Sequence, residues 1–206
     1  MQRFYLLWIF LLSAPAVSAQ KQVAELLRNG DIIFQETKSA QSKAIKLATH
    51  SRYSHVGIVY FQKGRPVVFE AVQPVKATNL KTFLSRSVGG HYVVKRLKNA
   101  DATLTKQVLA RMEKEGRKFL GKNYDWIFGW SDARIYCSEL VWKIYQRGAG
   151  IELSPTKKLR EFDLSHPAVR AKMKERYGTK IPLDEPVVAP GQLFESELLE
   201  TVYESK

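Results

Sequence analysis

The chain has 206 residues, close to the roughly 100–200 expected of one domain, and 45% of them are hydrophobic and 26% charged. That balance excludes disordered chains, and the lack of repeats excludes collagenous and coiled-coil ones. A net charge of +13 marks a strongly basic protein, and a single cysteine, Cys137, excludes an internal disulfide and any multi-thiolate zinc or iron–sulfur centre.

Residues 1–19 read as a secretory signal peptide. Arg3 is a short positive region, Phe4 to Leu12 are nine apolar residues, and Val17-Ser18-Ala19 puts small side chains before Gln20. Nine residues fall far short of the roughly 20 that a spanning helix needs, and an uncleaved anchor is the lesser alternative. No cysteine stands at the cleavage site, which excludes lipid attachment there. The expectation is a mature chain over 20–206, one domain without a transmembrane span, exported to the bacterial periplasm.

Removing the leader leaves 32 basic against 20 acidic residues, a net +12. Outside the cytosol the available polyanions are wall polymers and anionic lipid, so peripheral contact with either is the partner expectation. The basic clusters, Lys157-Lys158 and Arg170 to Arg176, are not interleaved with aromatics, and nucleic acid is set aside.

Asp31 to Gln35, after Asn29-Gly30, reads as a strand following a turn. Ser39 or Ser42 starts a short helix carrying Ala44, Ile45, Leu47 and Ala48. His55 to Phe61 and Val67 to Val72 are β-rich runs joined by a hairpin over Gln62 to Arg65, and His91 to Leu97 is a third strand. Leu104, Val108, Met112 and Phe119 predict a helix from Thr103 to Leu120, with Gly121 just past its end. Cys137, Leu140, Val141, Ile144 and Tyr145 form the stripe of an amphipathic helix ending before Gly148 or Gly150. Beyond Pro155 only a charged helix from Pro167 to Tyr177 stands out, and no chemistry is assigned there.

Cys137 lies in phase with a buried stripe, where a free cysteine is commonly inert packing. It also falls in or just before the first helical turn, where unpaired N–H groups and the helix dipole lower a thiol pKa. Of the four histidines, His166 precedes a proline in the weakly patterned tail, His91 opens a strand as an edge residue would, and His50 ends a helical segment. His55 opens an apolar strand directly after a polar cluster, and Gly57 on the same face leaves room for another element.

Glu70 interrupts the apolar run Val67 to Val72, and a carboxylate there needs a partner. A two- or four-residue turn pairs residues whose numbers sum to 127, which sets Glu70 opposite Gly57 with His55 as a diagonal neighbour roughly 7–8 Å away. Thiol, imidazole and carboxylate then follow triad logic: His55 takes the proton, Cys137 attacks an amide or ester carbonyl, and Glu70 orients the ring. The Cys137 N–H, helped by the Tyr53 hydroxyl, is the candidate oxyanion donor. Asp31 and Tyr124 are weaker candidates for substrate contact, and packing or turn roles compete at Asp31, Tyr53 and Tyr124 alike.

Gly30 to Phe34, Tyr53-Ser54-His55-Val56-Gly57, Phe69-Glu70-Ala71-Val72 and Tyr136-Cys137-Ser138-Glu139-Leu140-Val141 together resemble the circularly permuted papain-fold amidases of the NlpC-type superfamily, and more closely its YiiX-like branch. Histidine precedes cysteine here, as the permuted order requires. The resemblance implies an α+β permuted papain-like fold with an antiparallel sheet packed against the cysteine-bearing helix. It also implies Cys137 as nucleophile, His55 as base and Glu70 as third residue, where relatives often carry His, Asn or Asp.

The expected function is a thiol amidase or peptidase acting on a small peptide, aminoacyl or envelope-derived substrate, with no cofactor and no metal. One alternative is a lipid-directed thioesterase or acyltransferase with the same triad. A wide apolar groove at Cys137 would favour it, whereas a narrow polar cleft with carboxylates for an amine would favour peptides. The other alternative is a non-catalytic basic module that binds anionic envelope polymers.

Overall fold

Ile32–Gln35 (β1) is buried on both faces, as expected of a central strand that reads as an unbroken apolar run. It lies within a six-stranded antiparallel sheet in a computed structural model that describes residues 22–205. The signal-peptide expectation for 1–19 lies outside the described residues. After Ala40–Thr49 (α1) come His55–Gln62 (β2), Arg65–Glu70 (β3), Lys76–Asn79 (β4), Leu80–Leu84 (α2) and Tyr92–Leu97 (β5). Ala100–Thr103 (α3), Lys106–Arg117 (α4) and Cys137–Ala149 (α5) follow. The chain closes with Lys157–Lys158 (β6), Pro167–Tyr177 (α6), Pro186–Val187 (β7), Pro190–Phe194 (α7) and Leu199–Glu204 (β8). The main sheet runs β4-β3-β2-β1-β5-β8, and β6 and β7 form a separate small ladder.

Lys63 and Gly64 have φ of 50° and 74°, the left-handed pair that a two-residue hairpin turn demands. The turn sets the register: Gln62 pairs with Arg65, Tyr60 with Val67 and Ile58 with Phe69. Residue alternation then separates two apolar layers. Ile32, Phe34, Val56, Ile58 and Phe69 face α5 through Leu140, Val141 and Ile144, while Ile33, Val59, Val68 and Val94 face Phe83 of α2 together with Val23 and Leu27. The fold is thus α+β, with the antiparallel sheet against the cysteine-bearing helix. Gly148 brings α4 and α5 together, since a Cβ there would stand 2.5 Å from Met112 Cα.

Several elements differ from the sequence expectation. The helix placed over Thr103 to Leu120 covers only Lys106–Arg117, because the Thr105 hydroxyl accepts from Val108 N–H at 3.3 Å and starts it there, after the separate short helix Ala100–Thr103. Leu104 is buried at the break rather than on a helical stripe. Ser39 rather than Ser42 caps α1, accepting from Ser42 N–H, while the Ser42 hydroxyl bonds Ser54. β4, α2, α7 and β8 were not foreseen; all are short, and β4 and β8 close the two edges of the sheet.

Candidate active site

The hairpin register carries Glu70 past its last paired neighbour to the level of Gly57, and His55 reaches it diagonally. His55 Nε2 stands 2.6 Å from Glu70 Oε2. The carboxylate is fully buried, and Arg86 donates one guanidinium nitrogen to both oxygens at 2.6 and 2.7 Å while Thr78 donates its hydroxyl. Burial alone would raise the Glu70 pKa; the bonds from His55, Thr78 and Arg86 outweigh it and hold the group near about 2.

Cys137 is the first residue of α5, and Tyr136 caps the helix with its N–H donated to Glu139 at 3.4 Å. Glu139 is in turn bonded by Lys143 at 2.6 Å, and Lys143 also donates to Ser131 O and Asp132 at 2.9 Å each. This buried hydrogen-bonded pair ties the turn before the cysteine to the helix that carries it. Glu139 is pushed up to about 8, burial outweighing the Lys143 bond.

The Cys137 sulfur meets the His55 ring and lies against the backbone N–H groups of Val56 and Ser138. Burial pushes the thiol up, but the imidazole and the two amides more than reverse that, and its pKa is lowered. Burial likewise opposes charge on His55, yet the contacts with Cys137 and Glu70 raise it to about 9. With Nε2 given to Glu70, Nδ1 remains for the sulfur. Both shifts run in the direction that favours a thiolate–imidazolium pair.

Tyr124 also reaches this sulfur, and its hydroxyl accepts from Gln41 Nε2 at 2.8 Å. Arg176 of α6 donates to the other end of the same amide at 2.8 Å. Neither Gln41 nor Arg176 was singled out from sequence. They lie 83 and 135 positions from their partners, Gln41 from Tyr124 and Arg176 from Gln41, with no motif linking them. Thr78 and Arg86 were missed for the same reason.

Two candidates stand elsewhere. Asp31 lies at the far end of β1, since Gln35 at the near end is the residue paired with His55. It receives two bonds from Arg96, at 2.7 and 2.8 Å, and one from Arg28 N–H, which makes it a buried structural anchor. Tyr53 packs its ring on Phe194, with centroids 4.0 Å apart, and on His91, so aromatic burial holds its side chain in the core. The hydroxyl bonded toward the Cys137 sulfur is that of Tyr124.

Two cavities meet at this point. His55 opens onto a cleft of about 790 Å³ with a mixed polar and apolar lining, which Tyr124 and Arg86 also line. Cys137 lines a slot of about 80 Å³ between α1 and α6 whose wall is almost entirely apolar. Gln41, Ile45, Lys172 and Arg176 border both.

A cysteine at a helix N-terminus against an antiparallel sheet, with histidine and a carboxylate earlier in the chain on adjacent strands, defines a permuted papain-like fold. Residues 26–203 match the model of the permuted papain-like amidase enzymes of the YaeF/YiiX, C92 family, and the chain belongs to that family. It is 48% identical over 202 residues to the uncharacterized protein YiiX of Escherichia coli strain K12, an alignment spanning 98% of this chain and 96% of that one. The crystal structure of metalloprotein YiiX from Escherichia coli O157:H7 superposes with a TM-score of 0.82 at 48% identity, over 86% of this chain and 97% of that one. Among the described residues no group of three or more His, Cys, Asp or Glu is placed to hold a metal ion. No helix among the described residues is long and apolar enough to cross a membrane.

Proposed function

We propose that the protein is an exported thiol hydrolase that cleaves an amide bond through Cys137, His55 and Glu70. The reading is carried by one observation, the continuous contact from the Cys137 sulfur through the His55 ring to the buried Glu70 carboxylate. The Cys137 thiolate attacks the carbonyl carbon, and the His55 imidazolium protonates the departing amine. Glu70 holds the ring by Nε2 and favours its charged form. The Cys137 N–H and the Tyr124 hydroxyl receive the developing oxyanion. The substrate is a small envelope-derived compound, peptidic, aminoacyl or otherwise acylated, met in the periplasm after removal of residues 1–19. Peripheral contact of the basic surface with anionic envelope polymers or lipid is part of this proposal.

Incubation of the mature protein with envelope extract, followed by intact mass measurement, tests it. A covalent adduct on Cys137 is expected, absent in Cys137→Ala, which should keep the far-ultraviolet circular dichroism of the parent. Undiminished amide hydrolysis by Cys137→Ala would sink the reading.

A further inference from the structure

We infer that Gln73 is a positioning residue for the reaction: it fixes the main chain of Tyr124, so that the phenol hydroxyl meets the oxyanion formed when Cys137 attacks. The inference rests on the thiol-hydrolase reading and deepens it. It comes from one juxtaposition. Gln73 Oε1 accepts the Tyr124 backbone N–H at 2.8 Å, and Gln73 Nε2 donates to Asn123 Oδ1 at 2.6 Å. A single side-chain amide thus holds two successive residues that lie 50 and 51 positions away in the chain.

The place of Gln73 in the chain gives these two bonds their reach. It follows closely on Glu70, the last residue of β3. Just beyond it, Val75 N–H donates to Lys122 O and Gly121 N–H donates to Val75 O, each at 2.9 Å, so the exit of the Glu70 strand runs alongside the segment that carries Tyr124. The other side of that segment meets the chain just ahead of the nucleophile. Ile135 N–H donates to Asn123 O at 3.3 Å, and Asp125 N–H donates to Ile135 O at 3.1 Å. Tyr124 is therefore set between the strand that holds the carboxylate and the start of α5, and its own N–H is taken by Gln73.

A hydroxyl at the far end of a tyrosine side chain magnifies any tilt of its Cα. A misplacement of about 1 Å at the reacting centre can cost about 10²-fold in rate, so a bond that fixes the main chain of a donor acts on the chemistry without touching it. Gln41 bonds the hydroxyl of Tyr124 at 2.8 Å and Gln73 its N–H, which holds the residue at both ends. Tyr124 is buried, whereas Gln73 is exposed and adds little to the core, so replacing Gln73 should spare the fold. Gln73 also borders the cleft, which makes substrate contact the competing role. Contact would be read in the half-saturating substrate concentration, positioning in the maximal rate.

The test uses the mature protein with p-nitrophenyl acetate as probe. The Cys137 sulfur bonds to the acetyl carbon through a tetrahedral oxyanion, the C–O bond breaks, and p-nitrophenolate leaves with the electron pair. The p-nitrophenolate burst gives the maximal acylation rate and the half-saturating concentration separately. Gln73→Leu, which removes both bonds, should lower the maximal rate roughly five- to tenfold, the worth of about one net hydrogen bond, and move half-saturation less than about twofold. Gln73→Glu keeps an acceptor for the Tyr124 N–H, and the Asn123 amide can turn to donate to it. Its rate should return to within about twofold of the parent.

The decisive readout is coupling. In a Tyr124→Phe background the hydroxyl that Gln73 positions is gone, so adding Gln73→Leu should change the rate less than about twofold. Where Gln73→Leu does not fold, Asn123→Ala, which frees the far end of the Gln73 amide, takes its place with the same expected coupling. Effects that multiply across the two sites, a loss confined to half-saturation, a Gln73→Leu of parental speed, or a Gln73→Glu as slow as Gln73→Leu would overturn the inference. Iodoacetamide, which alkylates sulfur without forming an oxyanion, reads the parent proposal separately. Rapid alkylation of Cys137 at neutral pH together with uncoupled Gln73 and Tyr124 effects sinks only the inference, whereas an inert thiol that gives no burst sinks both.

Discussion

Gln41 Nε2 donates to the Tyr124 hydroxyl oxygen at 2.8 Å, which directs the one proton of that phenol toward its other neighbour, the Cys137 sulfur. As the thiolate attacks, negative charge passes from sulfur to the carbonyl oxygen, and the same donor can follow it. Tyr124→Phe is therefore expected to lower kcat about 10²-fold with KM little changed. Steady-state kinetics on an amide substrate would check this, and an effect confined to KM would assign Tyr124 to binding.

The pair Cys137 and His55 sets the pH dependence. The thiol pKa is lowered and the imidazole is raised to about 9, and both shifts favour the thiolate–imidazolium form. Hydrolysis should fall as pH rises through about 9, because the imidazolium that protonates the leaving amine is lost. Glu70→Gln removes the charge that favours imidazolium, and the descending limb of the kcat profile should move to lower pH. An unmoved limb would detach Glu70 from the titration.

Glu70 also bears on stability. Its folded pKa of about 2 lies below the ordinary 4.5, so the contribution is present above about 4.5 and lost as pH falls through about 2. Glu70→Ala leaves Arg86 and Thr78 without their acceptor and should cost roughly 3–5 kcal/mol at neutral pH. Urea unfolding of both proteins at neutral and acid pH measures it, the difference between them shrinking in acid.

Beneath the nucleophile, Lys143→Met should cost a similar 3–5 kcal/mol above about pH 8, where the buried Glu139 is ionised and loses its cation, and less at neutral pH, where Glu139 is held protonated. The double variant Lys143→Met with Glu139→Gln should recover part of that loss. A double-mutant cycle by denaturant unfolding reads the coupling, and strict additivity would deny it.

At Gly57, an added Cβ would stand 2.4 Å from Val68 Cγ1 and 3.0 Å from Phe69 O, so the clash involves backbone as well as side chain. Gly57→Ala should destabilise by about 1–3 kcal/mol. It should also disturb His55, two residues away on the same face, so that activity falls further than the folded fraction does. Comparing both quantities in one preparation separates the two effects.

What the amino-acid sequence determined by itself was local. The hairpin register followed from a two-residue turn with glycine at its second position, and alternation then obliged His55 and Glu70 to share a face. The 3.6-residue stripe of α5 placed Cys137 at a helix start, and α6 was legible from Pro167 at its first turn. Tertiary structure alone decided which distant groups meet. Asp31 and Tyr53 looked like site residues because a polar group near a strand end reads the same whether it faces substrate or an internal partner. Arg96, 65 positions away, and Phe194 settled their roles. The tail without apparent chemistry supplies Arg176 and one wall of the slot beside the thiol, because α6 packs on α1. Backbone geometry and periodicity act over a few residues, whereas the cavity wall arises from side-chain packing between segments more than a hundred residues apart, for which a single sequence carries no periodic signal.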